Sequence, residues 1–157
     1  MPDAYMPLRA GARSQQPNRV VIHAMAEFID DEARDYFAVD WLQKLGLSVH
    51  ALVTPTGTVI RCREDAQGAY HAKGFNTDSL GVEFLVAGLH TYPTFLEAMK
   101  TSYVSEEQLR AGVRLVRAWL AEHDVQRIDR HSDLSPGRKE DPGAGFPWQR
   151  LLDEVHA

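Results

Sequence analysis

Residues 130–143 read RHSDLSPGRKEDPG. Pro136, Gly137, Pro142 and Gly143 punctuate the run, so it is an irregular loop rather than a helix or strand. Within it His131 and Asp141 offer a nitrogen and an oxygen donor with nine residues between them. A folded loop gathers such a pair more readily than one helical face does. Zinc takes both donor types, and a catalytic zinc uses three protein ligands and leaves the fourth position for water. The third ligand must come from elsewhere in the chain. His23 ends the apolar run Val20-Val21-Ile22, at the tip of a buried strand, and completes a candidate set of His23, His131 and Asp141. Singly, none of the three carries this meaning: a histidine at a strand end is usually structural, and Asp before Pro is an ordinary turn residue.

Two further residues suit the same chemistry. Glu83 interrupts the apolar run LGVEFLV, residues 80–86, and a carboxylate in a central strand is costly to bury unless it is paired or functional. Beside a dication it would orient the attacking water or take its proton. Lys139 stands two residues before Asp141, where an ammonium beside the metal stabilises the oxyanion of a tetrahedral intermediate. The plainer alternative is that Arg138-Lys139-Glu140 is a solvated turn.

In chain order these residues stand as His23 after a strand, a Gly81-Val82-Glu83 strand, His131, Ser135-Pro136, Arg138-Lys139 and Asp141-Pro142-Gly143. This order resembles the zinc-dependent N-acetylmuramoyl-L-alanine amidases of type 2, relatives of the peptidoglycan recognition proteins, from about Arg19 to Val155. The resemblance implies their fold, a Zn2+ cofactor and a peptidoglycan or muropeptide substrate. It also implies the reaction, hydrolysis of the amide between the lactyl group of N-acetylmuramic acid and L-alanine of the stem peptide.

Residues 68–79, GAYHAKGFNTDS, resemble the substrate-cleft loop of the phage lysozyme-type members. That likeness marks His71, Lys73 and Asn76 as substrate contacts, against a surface amine for Lys73 and a turn-forming side chain for Asn76. Recycling-type members carry their catalytic glutamate at the position of Glu83. Phage lysozyme-type members use a tyrosine before the hairpin histidine, where this chain has Val49, so the glutamate version of the site is expected.

Two roles are therefore implied. The HAKGFN loop favours a phage or prophage endolysin, which is taken first. Glu83 and the Arg-Lys-x-Asp-Pro-Gly ending favour a cytosolic amidase that recycles anhydro-muropeptides. A non-catalytic peptidoglycan-binding module is one rival, though such relatives usually lack a zinc ligand. A protein with purely structural zinc is the other, and it would need a fourth ligand, for which Cys62 is the only thiol.

The elements that must position these residues read as follows. Residues 19–24 form a short strand buried on both faces. Residues 33–45 place Tyr36, Phe37, Trp41, Leu42 and Leu45 at three-and-four spacing, an amphipathic helix closed by Gly46 with its aromatic stripe in the core. Residues 48–63 form a hairpin turning at Pro55-Thr56-Gly57, with His50 packed or hydrogen-bonded in the sheet. After the strand at 80–86, residues 87–104 are a connection in which Phe95, Leu96 and Met99 could make one helical turn. Ser105 to Gln108 reads as a capping box opening a helix from about 105 to 123. Residues 125–131 form a strand into the metal loop, and 146–155 a helix with Phe146, Trp148, Leu151 and Leu152 inward. Strands and helices alternate around one hairpin, so the expected class is α/β, a mixed central β-sheet flanked by helices.

The chain of 157 residues suits one domain, read as an N-terminal arm of 1–18 and a single amidase domain of 19–157. With 17 basic against 22 acidic groups the net charge is −5, which argues against a nucleic-acid binder that needs clustered Lys and Arg. A single cysteine excludes an internal disulfide. Residues 1–18 lack the apolar run of a secretory signal, and no later run approaches a membrane span. The expectation is a cytoplasmic protein without membrane insertion, which as an endolysin would act on the wall after release.

Overall fold

The computed structural model describes residues 3–13 and 16–157. In chain order the elements are β1 (Ala4–Tyr5), β2 (Arg19–Asp31), β3 (Arg34–Phe37), α1 (Ala38–Leu45), β4 (Ala51–Val53), β5 (Val59–Arg61), β6 (Ser79–His90), α2 (Tyr92–Ala98), α3 (Glu106–Glu122), β7 (Arg127–Arg130), α4 (His131–Leu134) and α5 (Trp148–Val155). The strands make one seven-stranded sheet in the order β1-β5-β4-β6-β2-β3, with β7 also pairing β2. β2 pairs parallel to β6 and β7 and antiparallel to β3, so the sheet is mixed, as the alternation of elements predicts.

Alternation along β2 and β6 divides the interior into two layers. Val20, Ile22, Val82 and Phe84 pack against Leu109, Val116 and Trp119 of α3 and Leu151 of α5. On the opposite face Leu52 and Leu85 pack against Val39 and Leu42 of α1. His23 and Glu83 share this second face, since they sit one residue beyond Ile22 and Val82. The N-terminal lead-in lies along the sheet: β1 pairs with β5, and Arg13 donates to the carbonyls of Asp65, Gln67 and Ser79.

Several elements depart from the sequence reading. β2 runs to Asp31 rather than stopping at Ala24, turns, and pairs back through β3, so Phe28 faces Phe37 and Ile29 faces Tyr36. α1 accordingly begins at Ala38, not at residue 33, and ends at Gly46 in the left-handed conformation with φ +70°. The helical spacing of Tyr36 and Phe37 loses to cross-strand pairing, whose partners lie on a separate segment. Residues 92–98 form a full short helix, α2, with Thr91 and Thr94 capping each other.

α3 forms where expected, and the Ser105 side chain accepts from Gln108 N. The reciprocal half of the box is replaced. The Gln108 amide is fully buried and donates instead to the carbonyls of Val53 and Leu85, stitching α3 to β4 and β6. No described helix is long and apolar enough to cross a membrane. Gln108→Ala would remove this donor from two buried carbonyls and leave a cavity; we expect about 2–4 kcal/mol of destabilisation. Urea unfolding measures it directly, and a loss below about 0.5 kcal/mol would show that the stitch contributes little.

Candidate metal centre and cleft

The outer edge of β2 is shared by two strands. β7 pairs with residues 19–22 and β3 with residues 28–31, which leaves residues 23–27 facing neither. The candidate centre is built at this gap. β7 ends at Arg130, and the single turn of α4 starts with His131, which therefore arrives beside His23. Arg19 and Asp129 form an ion pair that ties the two strands just upstream. The loop then returns, with Ser132 N donating to Asp141 O, and Ala24 N donating at 3.3 Å to Asp141 Oδ2. The segment read as irregular is thus a short helix followed by turns.

His23 Nδ1 and His131 Nδ1 are 3.0 Å apart. Asp141 Oδ2 lies 3.2 Å from His131 Nδ1 and 3.3 Å from His23 Nδ1. The three side chains are buried, and together they form a group able to hold a metal ion. A tetrahedral shell with bonds of about 2.0–2.2 Å has edges of roughly 3.3 Å, so the three atoms stand close to the corners of one face of such a shell. Burial opposes the charge on Asp141, but the His131 ring hydrogen-bonded to it and the His23 ring beside it outweigh that and hold its carboxyl well below the usual range. Burial lowers the pKa of His23 despite Asp141 beside it. A neutral imidazole and an ionised carboxylate are the forms that ligate metals.

Glu83 lies directly opposite His23 in the β2–β6 register. It is buried, its Oε1 makes no hydrogen bond among the described residues, and desolvation, then Asp141, push its pKa well above the ordinary value. Lys139 partly offsets this by its charge. No ion pair among the described residues engages the Lys139 ammonium. Glu83, Lys139 and the three candidate ligands all line one open cavity of about 740 Å³.

His71, Lys73 and Asn76 also line this cavity. Lys73 is exposed, whereas Asn76 Oδ1 accepts from the backbone N–H of both His71 and Ala72 and so shapes the loop. His71 touches His23 Nε2 with its Nδ1 at 2.8 Å and Ser79 Oγ with its Nε2 at 3.0 Å. Its pKa is depressed, chiefly by burial and then by His23. His50 is a fully buried sheet histidine, accepting from Gly81 N and hydrogen-bonded at Nε2 to Gln67 O, with its pKa lowered by burial to about 4.

Sequence reasoning missed the walls of the cleft. Trp41 and Leu45, read as core, line the cavity, and Leu45 is half exposed. Tyr92, Phe95 and Leu96 of α2 line it too. The apolar periodicity around residue 41 was a signal of a helix face, but not of what that face meets. Asp65, Glu122 and His123 form another group of metal-ligand types. There the Asp65 carboxylate is already taken by Arg61, Trp119 and His123, which fastens its turn to α3. Cys62 is buried on the sheet with its thiol pKa raised by burial to about 12, and it is not part of the His23 group.

Residues 13–144 match the family described as N-acetylmuramoyl-L-alanine amidase. Among curated proteins, the 1,6-anhydro-N-acetylmuramyl-L-alanine amidase AmpD of Enterobacter cloacae is 27% identical over 133 residues, covering 78% of this chain and 64% of that protein. The chain thus spans slightly under two thirds of this relative's length. Among solved structures, a selenomethionine AmpD derivative superposes with a TM-score of 0.76 at 19% identity, covering 98% of this chain and 94% of the other. The endolysin LysCS from Clostridium intestinale URNW superposes with a TM-score of 0.74 at 19% identity, covering 98% and 95%. A matched stretch that takes in His23, Glu83, His131, Lys139 and Asp141 places the chain in the N-acetylmuramoyl-L-alanine amidase family.

Proposed function

We propose that the chain is a zinc-dependent amidase that hydrolyses the bond between the lactyl group of N-acetylmuramic acid and L-alanine, acting on soluble 1,6-anhydro-muropeptides. The observation that carries this reading is the buried His23, His131, Asp141 face, with Glu83 beside it and the cavity open above both. When bound, zinc supplies Lewis acidity and an activated water. The donor set suits zinc, having two imidazoles and one carboxylate. The absence of Cys62 from the group supports a catalytic rather than structural site, because a structural site is normally closed by four protein ligands.

Glu83 does the proton work. As the carboxylate it accepts a proton from the attacking water, and the proton affinity that burial raises suits it to hold that proton until it passes to the departing L-alanine nitrogen as the C–N bond breaks. Lys139, in no ion pair among the described residues, presents its ammonium to the oxyanion that forms on the lactyl carbonyl. Trp41, Leu45, Leu47 and the α2 residues Tyr92 and Leu96 form apolar sides along which the substrate lies.

The recycling role is supported by the name that the curated relatives at 25–27% identity carry and by Glu83 at the acid-base position. It displaces the lytic role that the HAKGFN loop suggests. That second reading keeps the likeness in fold to an endolysin in its favour. Parallel assays decide between them. Release of peptide from anhydro-muropeptide and not from whole sacculi fits recycling, and rapid solubilisation of sacculi fits lysis.

Three outcomes are expected from the catalytic reading. Chelation abolishes turnover and added zinc restores it; turnover that survives complete metal removal sinks the zinc mechanism. Glu83→Gln retains zinc, measured by metal analysis of the dialysed protein, while kcat falls about 10²–10⁴-fold. Lys139→Ala lowers kcat by on the order of 10²-fold with KM nearly unchanged, and a pure KM effect would reassign it to binding.

A further inference from the structure

His71 has both ring nitrogens engaged inside the protein, and the directions of its hydrogen bonds can be worked out from one end. The Phe75 carbonyl can only accept, so at 2.6 Å from Ser79 Oγ it takes the single hydroxyl proton. Ser79 Oγ is then an acceptor toward His71, whose Nε2 carries hydrogen. In the neutral ring the other nitrogen is a bare acceptor, so His71 Nδ1 receives hydrogen from His23 Nε2. This leaves His23 Nδ1 with a free lone pair, and Nδ1 is the atom that faces His131 and Asp141.

The backbone beneath makes room for this arrangement. A Cβ at Gly81 would lie 2.5 Å from His71 Nδ1, so only a glycine in β6 lets the imidazole settle at this height over the sheet. Asn76 holds the loop from the other side through the N–H groups of His71 and Ala72. His131 has no comparable support, since its Nε2 is buried without a hydrogen bond among the described residues.

We infer that His71 is a positioning residue rather than a substrate contact: the chain from Phe75 through Ser79 and His71 fixes the tautomer of His23 that presents Nδ1 to the metal. Outer partners of this kind orient a ligating histidine, and removing one typically weakens metal affinity about 10–100-fold. The inference rests on reading His23, His131 and Asp141 as the metal site.

The test measures zinc affinity by competition with a chelating indicator, together with the His23 tautomer from long-range ¹H–¹⁵N correlations in the metal-free and zinc-loaded protein. In the wild type, His23 carries its proton on Nε2 in both states. His71→Leu is expected to weaken zinc binding about 10–100-fold. His71→Asn, whose Oδ1 also branches from Cγ and can accept from His23 Nε2, recovers most of the affinity. Ser79→Ala frees the His71 tautomer and gives an intermediate loss, which separates the relay from simple misfolding of the loop. Unchanged zinc affinity and tautomer in folded His71→Leu, with only KM for muropeptide raised, would overturn the inference and make His71 a substrate contact. If wild-type protein takes up no zinc, the metal-site reading fails, while the proton on His23 still decides the relay: found on Nε2 it stands, found on Nδ1 it does not.

Discussion

Asp141 is a carboxylate placed among buried groups, and a buried charge persists only where other groups compensate it. Its compensation comes from distinct segments: the Ala24 N–H on β2 and the His131 ring at the start of α4. That one side chain therefore closes the loop after β7 onto the middle of the sheet. The closure is possible only because β7 pairs the beginning of β2 and β3 pairs its end, leaving backbone between them for the loop to approach.

The β2–β6 register does the rest of the placing. Side chains opposite one another on paired strands stand on the same face, so His23 and Glu83 are neighbours as a consequence of pairing alone. Alternation then sets what surrounds them. Gly81 beneath His71 leaves space for a ring, and Leu85 continues into the layer under α1. The opposite face of the same strands is filled by α3 and α5, which leaves the cleft open on one side only.

The cleft combines two environments. At the end that holds the candidate metal group are buried titratable groups whose burial moves their proton affinities; along its sides are aromatic and aliphatic residues from α1 and α2. Such a division, a mostly apolar lining with a few convergent polar groups, is usual for sites that bind small molecules. Here the extended β2–β3 arm, α1 and α2 supply the sides, while the strands and the loop after β7 supply the titratable and metal-ligand side chains.

The residues capable of chemistry were legible in the chain itself. A histidine ending an apolar run, a carboxylate inside another and a Pro/Gly-punctuated loop with His and Asp donors are local patterns, and the structure brings His23, His131 and Asp141 together with Glu83 beside them. The helix opened by Ser105 and the hairpin around Gly57 were equally local, because caps and turns depend on neighbouring residues. What only the tertiary structure decided depends on partners distant in sequence. The β2–β3 hairpin displaced the first five residues of an expected helix; Gln108 left its cap for carbonyls on two strands; Trp41 and Leu45 turned from core to cleft wall. The direction of the hydrogen bonds around His71 belongs to this second class as well. Residue types state which atoms can donate or accept, but which atom meets which is set when segments many tens of residues apart are packed together.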